Sequence, residues 1–141
     1  MSSYVLWRGE REALRYWRRY LIPTVFAIVN IYLDEVPSGG RLEFPSTEGG
    51  HPDIVIRDAS DNIVKAIDAK DWHNWDTLWT DDAIKNKLGT QIGNTQRLYG
   101  DDVLIRFDFH EPVPTEKKNV IDAFLQSKQD NGINVEWGYY P

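Results

Sequence analysis

Cysteine is absent from this sequence of 141 residues. Without thiols, the chain has no disulfide framework or thiol catalysis, and it offers a metal ion only oxygen and imidazole ligands. Long apolar runs are missing too: the longest, at about 21–33, contains Pro23 and Asn30 and is too short to cross a bilayer. It follows an arginine-rich segment without a small-residue cleavage pattern. We therefore expect no signal peptide, no membrane contact and a cytoplasmic location.

Aromatic residues, by contrast, are plentiful, with six Trp, seven Tyr and five Phe spread among mixed charges. This composition argues against intrinsic disorder, because enough apolar surface is available for a packed core. A chain of this length suits one such core. We therefore predict a single domain over residues 1–141.

Acidic residues outnumber basic ones by 22 to 16, for a net charge of −6, which disfavours a protein that simply coats nucleic acid. Residues 1–20 nevertheless hold five Arg against two Glu, a local charge of +3, so the rest of the chain carries −9. Four of these arginines recur at helical spacing: Arg8, Arg11, Arg15 and Arg18. Such a stripe is either a solvated helix face or a track that contacts phosphates.

Hydrophobic periodicity, caps and turn residues predict alternating helices and strands. We expect helices over 4–22, 80–99 and 115–129, and strands over 41–44, 53–57, 63–70, 103–109 and 133–137. The polar segment 58–62 suits a hairpin turn. The order predicts an α/β domain with a mixed sheet flanked by helices.

The strongest chemical signal is carried by the two strands of that hairpin. Asp68 and Lys70 are two residues apart in a strand, so their side chains leave the same face, and the hairpin places Asp53 at the same end as Asp68. Charged groups at the ends of apolar strands are costly unless they are paired or hold a cation. Two converging carboxylates suit a hard divalent ion.

Two helical positions point toward the same place. Glu10 falls within the apolar stripe of the first predicted helix, and a buried carboxylate needs a partner. Gln91 similarly lies within the apolar stripe of the helix over 80–99, which directs its amide toward the sheet.

These residues resemble the PD-(D/E)xK motif of the restriction-endonuclease-like nuclease superfamily. Pro52-Asp53, a step of 15 residues and then Asp68-Ala69-Lys70 match the motif, and the element order over about residues 5–109 is similar to the family's αβββαβ core. The resemblance implies metal-dependent hydrolysis of DNA phosphodiester bonds by an endonuclease that uses Mg²⁺, for which Mn²⁺ substitutes.

The resemblance also implies individual roles. Asp53 is expected as the central metal ligand, with Asp68 and the main-chain carbonyl of Ala69 completing the protein ligands. Lys70 would orient the attacking water or stabilise the phosphorane. Glu10 would correspond to an additional first-helix carboxylate, and Gln91 to a polar residue from the following helix.

Several alternatives stay open at this point. RNA or tRNA is another substrate that the fold permits, and the chain also resembles toxin-type nuclease domains, which are delivered into a target-cell cytoplasm and blocked by an inhibitory protein partner. A non-catalytic module that binds nucleic acid or protein is a third hypothesis. Trp72 and His73, directly after the motif, are candidate nucleic-acid contacts, although Trp residues in this segment equally suit packing against the sheet.

Overall fold

The computed structural model describes residues 4–7, 32–45 and 48–139. Its strands are β1 (Tyr4–Trp7), β2 (Arg41–Phe44), β3 (Ile54–Arg57), β4 (Ile63–Lys70), β5 (Ile105–Phe109) and β6 (Val135–Tyr139). Its two long helices are α1 (Asp81–Tyr99) and α2 (Thr115–Asp130), and short 3-10 turns lie at Leu33–Glu35 and Glu48–Gly50. The architecture confirms the predicted α/β class.

The six strands form one mixed sheet in the order β1-β2-β3-β4-β5-β6. The pairs β1-β2, β2-β3 and β3-β4 are antiparallel, whereas the pairs β4-β5 and β5-β6 are parallel. The parallel pairs need crossover connections, which α1 and α2 supply. The sheet therefore changes from antiparallel to parallel at β4, the strand that carries Asp68 and Lys70.

Local sequence explains the elements around β4. The predicted hairpin turn is confirmed: the Asp58 carboxylate accepts hydrogen bonds from the main-chain N–H groups of Ser60 and Asn62, both at 2.9 Å. At the start of α1, the Thr80 hydroxyl accepts a hydrogen bond from the Ala83 N–H at 3.2 Å and caps the helix.

Alternation along the strands separates two apolar clusters. On one face, Ala66 of β4 and the β5 residues Ile105, Phe107 and Phe109 pack with both long helices. On the other face, Leu42, Ile54, Ile56 and Ile67 pack with Tyr32, Leu33 and Val36. Asp68 and Lys70 share the parity of Ala66, so their side chains lie on the helix-covered face.

The structure corrects the sequence prediction at one end. The predicted helix over 4–22 is wrong for its first residues, because Tyr4–Trp7 forms a strand paired with β2. Aromatic and β-branched residues favour a strand once a partner edge is available. Two further strands, β5 and β6, each begin two residues later than predicted.

The remaining predicted helix residues, including Glu10 and the four arginines of the stripe, lie outside the described residues. Neither long helix in the described ranges is apolar enough over sufficient length to span a membrane.

Candidate active site

The hairpin brings Asp53 against the end of β4. The carboxylate Oδ2 of Asp53 accepts a hydrogen bond from the Ala69 main-chain N–H at 2.8 Å, which fixes Asp53 beside the Asp68-Ala69-Lys70 segment. The expectation that Asp53 and Asp68 lie at the same end of the hairpin is thus confirmed. The interaction depends on the register of the two strands. Ile54 pairs with Ile67, so Asp53, which precedes Ile54, lies opposite Asp68, which follows Ile67.

A cleft of about 380 Å³ opens at this edge of the sheet, between the strands and α1. Its sheet side consists of Asp53, Asp68, Ala69, Lys70 and Trp72. Its helix side consists of Lys87, Thr90, Gln91 and Asn94, and the loop before β3 adds Gly50 and His51. The structure therefore brings six of the sequence-predicted site residues to one cleft: Asp53, Asp68, Ala69, Lys70, Trp72 and Gln91.

Burial changes the acid–base properties of two of these groups. Asp68 is 5% exposed, and desolvation raises the pKa of its carboxyl to about 6, a shift that Lys70 opposes and Asp53 reinforces. Lys70 is 4% exposed, with its Nζ 5.6 Å from the centroid of the Phe107 ring, and desolvation lowers the pKa of its ammonium to about 8 although both carboxylates oppose this. Both groups are largely ionised at neutral pH, at a cost in desolvation free energy.

Gln91 supplies an unsatisfied acceptor. Its side-chain Oε1 is buried and accepts no hydrogen bond from any residue in the described ranges. A buried acceptor without a partner costs about 1–3 kcal/mol, so such an atom commonly marks a place for a ligand, ion or water. Gln91 lines the same cleft as Asp53 and Asp68, so the cleft contains an unsatisfied oxygen in addition to the two carboxylates.

Contacts with the end of α1 hold the loop that precedes β3. Arg97 donates a hydrogen bond to the Gly49 carbonyl at 3.1 Å, and Nδ1 of His51 lies 2.8 Å from the Tyr99 hydroxyl. Gly50 has a φ of +81° and lies so close to Asn94 that a Cβ would fall 2.5 Å from the Asn94 Nδ2. The cleft therefore needs glycine at position 50 for backbone conformation and for space.

Gly50→Ala tests this packing, with Gly132→Ala as the control. Gly132 has a similar φ of +83° but nothing within 4 Å of an added Cβ, so its substitution costs only the backbone strain, about 1–2 kcal/mol. We expect Gly50→Ala to lower the free energy of unfolding in urea by more than Gly132→Ala does, because Asn94 must also move. Equal losses would show that the contact between Gly50 and Asn94 is unimportant.

On the helix side of the cleft, three residues were missed in the sequence interpretation: Lys87, Thr90 and Asn94. With Gln91 they follow the i, i+3, i+4, i+7 spacing of one helical face. The signal was present as a polar stripe beside the apolar one, but nothing in the sequence shows that this stripe faces a cleft rather than solvent.

The aromatic segment after β4 divides between the core and the surface. Trp72 lines the cleft but is only 8% exposed, and its ring stacks on Trp79 at a centroid distance of 3.5 Å. His73 is not among the residues lining the cleft; it lies between Asp71 and Glu111, whose carboxylate oxygens are 3.0 and 3.2 Å from its ring nitrogens. These three exposed residues are the only metal-ligand cluster of three or more found among the described residues.

The donor set of the cleft fits a hard divalent cation. It combines two carboxylates, the main chain at Ala69 and the unsatisfied oxygen of Gln91, and oxygen ligands are those that Mg²⁺ prefers. Because burial disfavours the Asp68 carboxylate, a cation there would also offset a desolvation cost. Comparisons of the chain with protein-family models, with curated proteins and with solved structures gave no match.

Proposed function

We propose that the protein is a Mg²⁺-dependent nuclease that hydrolyses DNA phosphodiester bonds in the cleft between β4 and α1. The observation that carries the proposal is the convergence of Asp53, Asp68, Lys70 and the unsatisfied Gln91 oxygen in one concave site. Carboxylates, a buried amine and an acceptor without a partner together are costly for stability, and such groups are concentrated at functional sites.

The fold supports the same proposal at a finer level. β2, β3 and β4 are three successive antiparallel strands. Helix α1 follows β4 and leads to β5, which pairs parallel to β4. This order resembles the βββαβ part of a restriction-endonuclease-like core. Asp53 directly precedes its second strand, and Asp68 and Lys70 lie on its third. The first helix of that core would fall in residues outside the described ranges.

In this proposal, the carboxylates of Asp53 and Asp68 and the carbonyl of Ala69 hold Mg²⁺. The bound ion would supply a water of lowered pKa and electrostatic stabilisation of the developing negative charge on phosphate. Gln91 Oε1 would accept a hydrogen bond from a water at the site, which satisfies its buried oxygen.

Lys70 provides the positive charge that acts most strongly on the Asp68 carboxylate. Its buried ammonium carries donors that suit either the attacking water or a phosphate oxygen, and the apolar surroundings strengthen that interaction. The formal charges that line the cleft, from Asp53, Asp68, Lys70 and Lys87, sum to zero. A divalent cation would make the cleft net positive and so attract a phosphodiester.

The direct test incubates the wild-type protein with supercoiled plasmid, single-stranded DNA and tRNA in Mg²⁺, in Mn²⁺ and in EDTA. We expect DNA cleavage in the presence of either metal and none in EDTA. Cleavage of tRNA alone would assign RNA as the substrate. If no substrate were cut under either metal, the proposed catalytic function would be wrong.

Metal affinity should depend on pH through Asp68. The pKa of the Asp68 carboxyl is raised above its unfolded value to about 6. The protonated carboxyl therefore contributes to the free energy of unfolding fully below about pH 4, and this contribution is lost as the pH rises through 6. Mg²⁺ binds the ionised form, and we expect its affinity to fall about tenfold per pH unit below 6 and to level off above it. Titration calorimetry at several pH values measures this, and a pH-independent affinity would contradict it.

A further inference from the structure

One face of α1 presents free polar groups to the cleft opposite the carboxylates. Lys87, Thr90 and Asn94 line the cleft at successive turns of the helix, and we call these three residues the α1 track. Among the described residues, no carboxylate lies within 4.0 Å of the Lys87 ammonium, although Lys65 pairs with Glu35 at 2.8 Å and Lys117 with Asp81 at 3.3 Å. Lys87 thus forms no ion pair within the described ranges, although its charge acts across the cleft on Asp68 and favours the ionised form of that carboxyl.

The other members of the α1 track also have donors to offer. The Oδ1 of Asn94 accepts a hydrogen bond from Arg97 at 3.5 Å, and its N–H₂ group lies against Gly50 at the wall of the cleft, where it has no hydrogen-bond acceptor among the described residues. Thr90 is exposed and carries a hydroxyl at the rim. An ammonium, a hydroxyl and an amide N–H₂ are the donors through which proteins contact phosphate oxygens.

The spacing fits a polynucleotide backbone. Seven residues separate Lys87 from Asn94, so the track rises about 10 Å along the helix, the length of about three nucleotides of one B-form strand. A cleft of about 380 Å³ is large enough to hold part of one strand.

We infer that the α1 track binds successive phosphates of a single nucleic-acid strand and so holds the strand across the carboxylate pair. This inference rests on the proposed function, which it deepens by assigning the strand-binding surface. The contacts are to the backbone, so binding through the track should not depend on base sequence. Its largest single contribution comes from Lys87, because that residue alone brings a charge.

The test compares Lys87→Ala with Lys85→Ala, a lysine two residues away on the same helix that is exposed but does not line the cleft. Both substitutions favour helix, so neither should unfold α1. Binding is measured by fluorescence anisotropy with a labelled phosphorothioate single strand in Mg²⁺, over a range of salt concentrations. Cleavage of the normal strand is measured separately.

We expect Lys87→Ala to raise Kd by about tenfold and to reduce the slope of log Kd against log salt by about 0.7, whereas Lys85→Ala changes neither. Cleavage by Lys87→Ala should show a raised KM with kcat nearly unchanged. Equal effects of the two substitutions, or no binding by the wild type, would overturn the inference. Binding that depends on Lys87 without any cleavage would keep the α1 track and reject the nuclease, and cleavage that is insensitive to Lys87 would do the reverse.

Discussion

Replacing Asp68 by Asn will reduce Mg²⁺-dependent DNA cleavage by about 1,000-fold or more, which corresponds to about 4 kcal/mol of activation free energy. The substitution keeps the size of the side chain. It removes the negative charge at the buried end of β4, which is the charge proposed to bind the cation. Asn also imitates the protonated carboxyl that burial favours, since the pKa of Asp68 is raised to about 6. We therefore expect the metal-free variant to unfold at pH 7 no lower in temperature than the metal-free wild type.

The matched control is Asp71→Asn, three residues further along the chain. Asp71 is exposed and does not line the cleft, so its loss should leave cleavage within a few-fold of wild type. Initial rates with plasmid and thermal unfolding with and without Mg²⁺ give both readouts. A rise in melting temperature with Mg²⁺ is expected for wild type and Asp71→Asn but not for Asp68→Asn. Retained cleavage by Asp68→Asn would remove the carboxylate pair from the mechanism.

Replacing Lys70 by Met should have the second largest effect, a loss of about 100-fold to 10,000-fold in kcat, as is typical of groups that position a proton or stabilise charge. Met preserves the unbranched shape that packs beside Phe107 and Trp72. Because Lys70 is not a proposed metal ligand, Mg²⁺ should still bind. Loss of cleavage with metal binding retained would separate the role of Lys70 from that of Asp68.

Lys65→Met is the control for this experiment. Lys65 belongs to the same strand but points to the opposite face, where it pairs with Glu35. Its substitution should alter stability slightly and leave kcat unchanged, whereas a similar loss of cleavage in both variants would indicate a general effect on β4. Single-turnover kinetics and calorimetric titration with Mg²⁺ provide the two measurements.

Much of the fold around the site follows from local sequence. The turn over 58–62 and the start of α1 each depend on side chains that bond to the main chain within a few residues, and the sequence predicted both the turn and the helix. Pairing between strands that are far apart in the chain was harder to predict from the sequence. Tyr4–Trp7 was predicted as helix from its apolar spacing. It forms a strand because it pairs with the edge of β2, and that pairing is not visible in the local sequence.

The residues of the candidate site likewise fall into those that the sequence predicted and those that it did not. The spacing of Asp53, Asp68 and Lys70 is a local property of one hairpin, so the sequence predicted that these residues meet. Lys87, Thr90 and Asn94 belong to the cleft only because α1 crosses over the sheet between β4 and β5, and their spacing alone does not distinguish a cleft wall from a solvated face.

The sequence by itself determined the α/β class, the β3-β4 hairpin and the carboxylate pair at its end, because strand parity and turn chemistry act over a few residues. Only the tertiary structure decided how deeply Asp68 and Lys70 are buried, that Gln91 Oε1 has no partner among the described residues, and that the polar stripe of α1 lines a cleft. Burial and desolvation arise from packing between segments far apart in the chain, and these properties give the cleft its chemistry.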